Sequence, residues 1–214
     1  MVSRLALAAA AAAVVLTSSA SATVTSRSDK RGLCYVPNAE WPEDNQIWVQ
    51  DGSDLTWYYN YQDAPAAAYA DKPQSDFEFV PMMWGVDALD LDSTAFYDAV
   101  RALIDGGTNV THVLGFNEPD GPNSSGGSDT PPASAARAWV ANFEPLAELD
   151  VKLGLPAMTG GWGGMPWLQQ FLGNCSRLIS TDDDVRNCTF DFIPVHWYDN
   201  FDGLKSHIGD RHEA

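Results

Sequence analysis

Residues 112–120 read HVLGFNEPD. An apolar run (Val113, Leu114, Gly115, Phe116) stops abruptly at Asn117-Glu118-Pro119. Proline cannot continue a strand ladder, so the chain turns here and leaves Glu118 at the carboxyl end of a strand. Five other short apolar segments flank this one, at 32–36, 56–61, 77–85, 151–157 and 190–197. Helical patterns separate the later ones. In residues 93–106, Phe96, Val100, Leu103 and Ile104 repeat at helical spacing behind Ser93, an expected N-cap. Residues 133–149 repeat the pattern, and 165–172 supply a shorter helix. Strands alternating with helices indicate parallel βα units.

Six such units suit either a doubly wound sheet or part of a barrel. No G-x-G-x-x-G or G-x-x-x-x-G-K-[ST] follows the first strand, so a nucleotide-binding sheet gains no support. Polar and aromatic residues do recur just past the strand ends. They are Tyr58 and Asn60, Trp84, Asn117 and Glu118, Trp162, and His196 with Trp197 and Tyr198. A barrel directs all strand ends to one face, which holds the site. The expected fold is therefore an α/β (β/α)8 TIM barrel, with only about six of its eight βα units present.

A carboxyl among apolar and aromatic neighbours tends to keep its proton, which suits Glu118 to general acid work. Asn117 beside it can donate a hydrogen bond to a sugar hydroxyl. A solvated glutamate in a helix-initiating turn explains the same residues, and the two readings stand side by side. Eight tryptophans add weight to the first, because Trp84, Trp162, Trp167 and Trp197 all follow strands. Aromatic faces stack on the C–H faces of sugar rings. His112 and His196 are isolated and no H-E-x-x-H occurs, so no metal or cofactor is expected.

The amino terminus has the pattern of an export leader. Arg4 precedes an apolar stretch from Leu5 to Leu16, and small residues ending Ala20-Ser21-Ala22 form an A-x-A cleavage site. Residues 1–22 are expected to be a signal peptide. Residues 23–31 form a possible pro-segment ending at Lys30-Arg31, which is either a processing site or a pair of solvated charges. Residues 32–214 are then one domain, expected to be monomeric, secreted and free of the membrane once the leader is cut. The formal net charge is −17, with 12 basic against 29 acidic residues. Phosphate binding needs clustered Lys and Arg, so nucleic acid is excluded as a partner and a neutral ligand is favoured.

Of the three cysteines, Cys175 and Cys188 enclose a short loop and are expected to pair. Cys34 is left over and is expected to be a buried thiol. Sequons occur at Asn109, Asn123, Asn174 and Asn187. Asn123, in a Gly/Ser/Pro-rich loop, is the best glycosylation site; Asn174 and Asn187 are also candidates, and Asn109 lies tight against a strand.

The blocks KRGLCYV, WYYNY, FVPMMWG, LGFNEPD, KLGLPAMT and FDFIPVHWYDNFDGLKSHI, in this order, make the chain recognisable. From Lys30 onward it resembles the fungal alkali-sensitive-linkage-type glycosyl hydrolase catalytic core, glycoside hydrolase family 128. The resemblance implies a secreted retaining endo-β-1,3-glucanase on a (β/α)8 barrel, acting on β-glucan of the fungal cell wall. It matches the family's acid/base to Glu118 and the residue contacting the sugar 2-hydroxyl to Asn117. Its groove-lining positions match Trp84, His196, Trp197 and Tyr198. The family's nucleophile is a second glutamate on a seventh strand, in a T-E-F-type motif, and this sequence has no such segment. Retaining hydrolysis needs two carboxyls about 5–5.5 Å apart. The expectation is thus a member lacking strands seven and eight and weak in hydrolysis. The alternatives are a non-catalytic β-glucan-binding wall protein and a structural wall glycoprotein.

Overall fold

The structure is a computed structural model, and it describes residues 30–213. The expected leader and most of the expected pro-segment, residues 1–29, lie outside the described residues. At the boundary Arg31 is tied into the fold: its guanidinium pairs with Asp54 and its carbonyl accepts the Thr56 N–H.

Five short strands form two parallel ladders. The first joins β1 (Gly32–Cys34), β2 (Trp57–Tyr59) and β3 (Glu78–Phe79), with Leu33 opposite Tyr58 and Tyr58 opposite Phe79. The second joins β4 (His112–Leu114) to β5 (Lys152–Gly154), with Val113 opposite Leu153. A parallel bridge between Met82 and Leu114 links the ladders, and a bridge between Gly154 and Phe192 adds the sixth segment. The six segments thus follow one another in sequence order, all parallel. The wall is open: closure into a barrel is not seen among the described residues. Helices α1 (Ala95–Asp105), α2 (Pro132–Asn142), α3 (Glu144–Ala147), α4 (Gly164–Ile179) and α5 (Phe201–Glu213) follow the third to sixth segments. The first two connections contain only 3-10 turns.

Local chemistry explains where elements depart from expectation. The helix expected over 133–149 breaks at Phe143 into α2 and α3, because Pro145 has no N–H to continue the ladder. The N-cap of α1 is Thr94 rather than Ser93, and neither side chain makes a strong cap. Helix α4 runs well past 172, carried across Gly173 by buried Phe171 and Cys175.

Two cores back the wall. One joins β4 and β5 to α1, α2 and α4 through Val100, Val113, Phe116, Trp139, Phe143, Leu153 and Phe171, all fully buried. Trp139 lies flat on Phe143 with ring centroids 4.0 Å apart. The other is aromatic, with Tyr35, Tyr58, Tyr69, Phe77 and Phe79 behind the first ladder. Gly115 lets β4 approach β5, since a Cβ there would sit 2.9 Å from the Gly154 carbonyl oxygen. Among the described residues no helix is long and apolar enough to cross a membrane.

Candidate active site

The carboxyl ends of the segments converge on Glu118. Its backbone sits at φ +42°, a left-handed conformation costly for a residue with a Cβ. Neighbouring strands hold it there: the Glu118 N–H donates to the Ala157 carbonyl at 2.7 Å, and its carbonyl accepts the Gly121 N–H at 2.9 Å. The side chain meets His196, whose Nδ1 lies 2.9 Å from Glu118 Oε1. The two side chains are only 17% and 16% exposed. This pair, 78 residues apart in sequence, is the chemical centre of the mouth.

Asn117 is buried, and its amide Nδ2 donates to the Gly126 carbonyl at 2.9 Å. That anchor fixes the amide next to Glu118 and leaves its oxygen and second N–H uncommitted by this bond. Trp84 is partly exposed, and its carbonyl accepts the Asn117 N–H. Tyr198 is largely exposed, with its ring 6.3 Å from His196. Desolvation, then the Glu118 charge, raise the Tyr198 phenol above its ordinary range.

Other expected site residues lie elsewhere. Asn60 is buried, and its amide closes its own loop, donating to the Ala64 carbonyl and accepting the Gln62 N–H. Trp197 is turned toward α5: it packs on His207 at 5.1 Å and donates to the Asn200 carbonyl. A Cβ on Gly203 would strike its ring at 2.2 Å, so this close packing needs glycine there. Trp162 is 100% exposed. Cys34, expected to be buried, is exposed at the end of β1, an edge strand with no neighbour on its outer side among the described residues.

Cys34 belongs to a cluster that the strand-end reading missed. Its thiol donates to the Tyr61 hydroxyl at 3.0 Å, and Tyr59 and Tyr61 lie with ring centroids 5.1 Å apart. Burial and the Cys34 bond push Tyr61 up to about 12 and raise Tyr59 as well. Tyr61 stands at φ +60°, a second strained residue at this end of the wall. The missed signal was strand parity. Side chains alternate faces, so with Tyr58 in the core, Tyr59 points to the opposite face.

The described residues place one carboxylate at this centre. Asp120 receives the Thr159 N–H and hydroxyl at 2.8 and 2.6 Å, and Asp199 caps Asn200. Among the described residues, three potential metal ligands cluster only at Glu144, Cys175 and Cys188, where both sulfurs form a disulfide.

A cavity of about 960 Å³ lies at the other end of the strands. Its polar lining pairs with itself. His112 Nδ1 lies 3.8 Å from Glu78 Oε1, and Lys152 meets Asp191 at 3.2 Å. The Leu153 N–H, and then Lys152, hold the Asp191 carboxyl below its usual range. Chemistry therefore converges at the mouth and not in this cavity.

A family model described as the glycosyl hydrolase catalytic core matches residues 32–214. The chain belongs to that family. Solved structures similar to this catalytic core are glycoside hydrolase family 128 proteins. An endo-β-1,3-glucanase from Pseudomonas viridiflava is 26% identical with a TM-score of 0.56, over 74% of this chain and 58% of that one. A variant endo-β-1,3-glucanase from Amycolatopsis mediterranei, in complex with laminarihexaose, is 25% identical with a TM-score of 0.52, again over 74% and 58%. An oligosaccharide-binding protein from Cryptococcus neoformans shares the fold at 24% identity and a TM-score of 0.53, over 79% and 59%. The aligned part of this catalytic core thus spans less than two thirds of each of these three chains. No curated protein matches it.

Proposed function

We propose that this catalytic core binds β-1,3-glucan across the mouth, with Glu118 as the acid/base of a retaining endo-glucanase site. One observation carries the reading: a strained, mostly buried glutamate at a strand end, hydrogen-bonded to His196. As acid, Glu118 protonates the departing glycosidic oxygen; as base, it then takes a proton from the attacking water. His196 orients the carboxyl, Asn117 contacts the sugar 2-hydroxyl, and Trp84 with Tyr198 offers faces to the rings. The second carboxylate that retention requires is not among the described residues at the mouth. Hydrolysis by these residues alone is therefore expected to be weak.

That single carboxylate favours a second reading, a non-catalytic β-glucan-binding protein. The laminarihexaose complex of one relative and the oligosaccharide-binding description of another support a glucan ligand under either reading. We also place the chain outside the cell, in the fungal wall. The leader pattern and the disulfide agree with an oxidising route.

The deciding experiment measures laminarihexaose binding by calorimetry and hydrolysis by product analysis, for the wild type and Glu118→Gln. Glutamine preserves shape but cannot cycle a proton. The enzyme reading expects hydrolysis to fall by about 10²-fold or more while affinity stays nearly constant. Binding with no hydrolysis in either protein selects the binding reading. Absence of laminarihexaose binding rejects both.

A further inference from the structure

Two of the four sequons have a cysteine at their centre. Asn174-Cys175-Ser176 and Asn187-Cys188-Thr189 contribute the two halves of one disulfide. We propose that N-glycosylation and disulfide closure are competing fates of these two tripeptides. The folded chain then carries its glycan at Asn123 and little at Asn174 or Asn187.

The competition follows from what each reaction needs. In glycosylation, the asparagine Nδ2 bonds to the anomeric carbon of a lipid-diphosphate-linked oligosaccharide. The C–O bond to the diphosphate breaks with its electron pair, and the amide proton is released. The tripeptide must be exposed, with the hydroxyl of its third residue free to engage the transferase. Disulfide closure oxidises two thiols by two electrons, and a protein disulfide of the secretory pathway is reduced to its dithiol in exchange.

Closure ties both tripeptides into the fold through their second and third residues, although Asn187 itself stays exposed. Cys175 is fully buried and Cys188 nearly so. Asn174 lies inside α4, and its side-chain oxygen accepts from Arg177. The Ser176 hydroxyl oxygen accepts the Cys188 N–H at 3.1 Å, a bond that brings the two tripeptides together. On the other side Thr189 is held twice by Glu144, N–H to Oε1 at 2.7 Å and hydroxyl to Oε2 at 2.8 Å. Each sequon hydroxyl is therefore bonded in the folded chain. Asn109 is closed in a similar way, with Val110 buried and the Thr111 hydroxyl on Glu78.

Asn123 differs. It opens an exposed 3-10 turn, Asn123–Ser125, and the Ser125 hydroxyl donates only locally, to the Pro122 carbonyl at 3.1 Å. No distant segment must leave for this tripeptide to be presented.

The inference rests on export and is independent of the glucan reading. It is tested with the full chain directed into the secretory pathway of a glycosylating yeast. Site occupancy is read by glycopeptide mass spectrometry on total and secreted chain. Cys188→Ser breaks the disulfide but leaves the Asn174 tripeptide unaltered, and Cys175→Ser does the same for Asn187. In the wild type we expect near-complete occupancy at Asn123 and minor occupancy at the other two. Asn174 should shift from minor to major in Cys188→Ser, and Asn187 in Cys175→Ser, with Asn123 unchanged. Reductant added during synthesis of the wild type should give the same shift without any substitution. Full occupancy of Asn174 and Asn187 on disulfide-bonded chain overturns the proposal. So does an occupancy that ignores both the partner cysteine and the reductant. An unmodified Asn123 overturns the assignment of the accessible site.

Discussion

Glu118 combines two unfavourable states, a left-handed backbone and a mostly buried carboxyl, in one residue. Each is tolerated because a neighbour offsets it: the Ala157 carbonyl fixes the backbone, and His196 meets the side chain. Removing one partner of a buried hydrogen bond leaves the other unsatisfied. His196→Ala should therefore cost about 1.5–3 kcal/mol of stability, read from urea unfolding. Combined with Glu118→Gln, the loss should fall short of the sum of the single changes, because the two residues share one interaction. Additive losses would show that the pair is not coupled. At this scale the sequence was partly legible. The Pro119 turn exposed Glu118 to inspection, while the Cys34–Tyr61 contact escaped because it joins residues 27 apart on neighbouring segments.

At the scale of elements, α5 carries a group with a pH consequence. His207 is buried against Trp197, and its Nε2 has no hydrogen-bond partner in the structure. Burial, and then the nearby Arg211 charge, lower its pKa below the ordinary 6.5, with Asp210 opposing. As pH falls, the unfolded chain gains this proton before the folded one. The stability His207 contributes is thus complete above about 6.5 and is lost as pH drops toward the folded value. Thermal unfolding should show Tm falling as pH decreases below about 6.5, and His207→Phe should flatten that dependence. An unchanged slope would assign the acid sensitivity to other groups. Helix α5 also illustrates what periodicity misses. The strand-end position of Trp197 suggested a groove residue, but His196 meets Glu118 while its neighbour Trp197 packs on the helix.

For the whole molecule, charge and wall geometry set the behaviour. With 29 acidic against 12 basic residues, the surface favours a neutral ligand. Binding that releases no counterions depends little on salt. Laminarihexaose affinity should therefore be the same at low and at physiological ionic strength by calorimetry. A steep salt slope would show that binding is coupled to ion uptake or release by the protein's own charges. The open wall leaves the outer edges of β1 and of the sixth segment unpaired among the described residues. Such edges template association with other strands.

By itself the sequence determined the local facts. Proline and the apolar runs placed the strands and Glu118 at a strand end, helical spacing placed α1, α2 and α4, and the blocks from Lys30 onward pointed to the family. These depend on neighbours a few residues apart, so a linear reading reaches them. Tertiary structure alone decided the rest. It brought His196 across 78 residues to Glu118, turned Trp197 onto α5, put Asn60 into its own loop, exposed Cys34 on an edge, and tied Thr189 to Glu144. Each outcome hangs on strand register and on which face a side chain takes, and both are set by packing between distant segments.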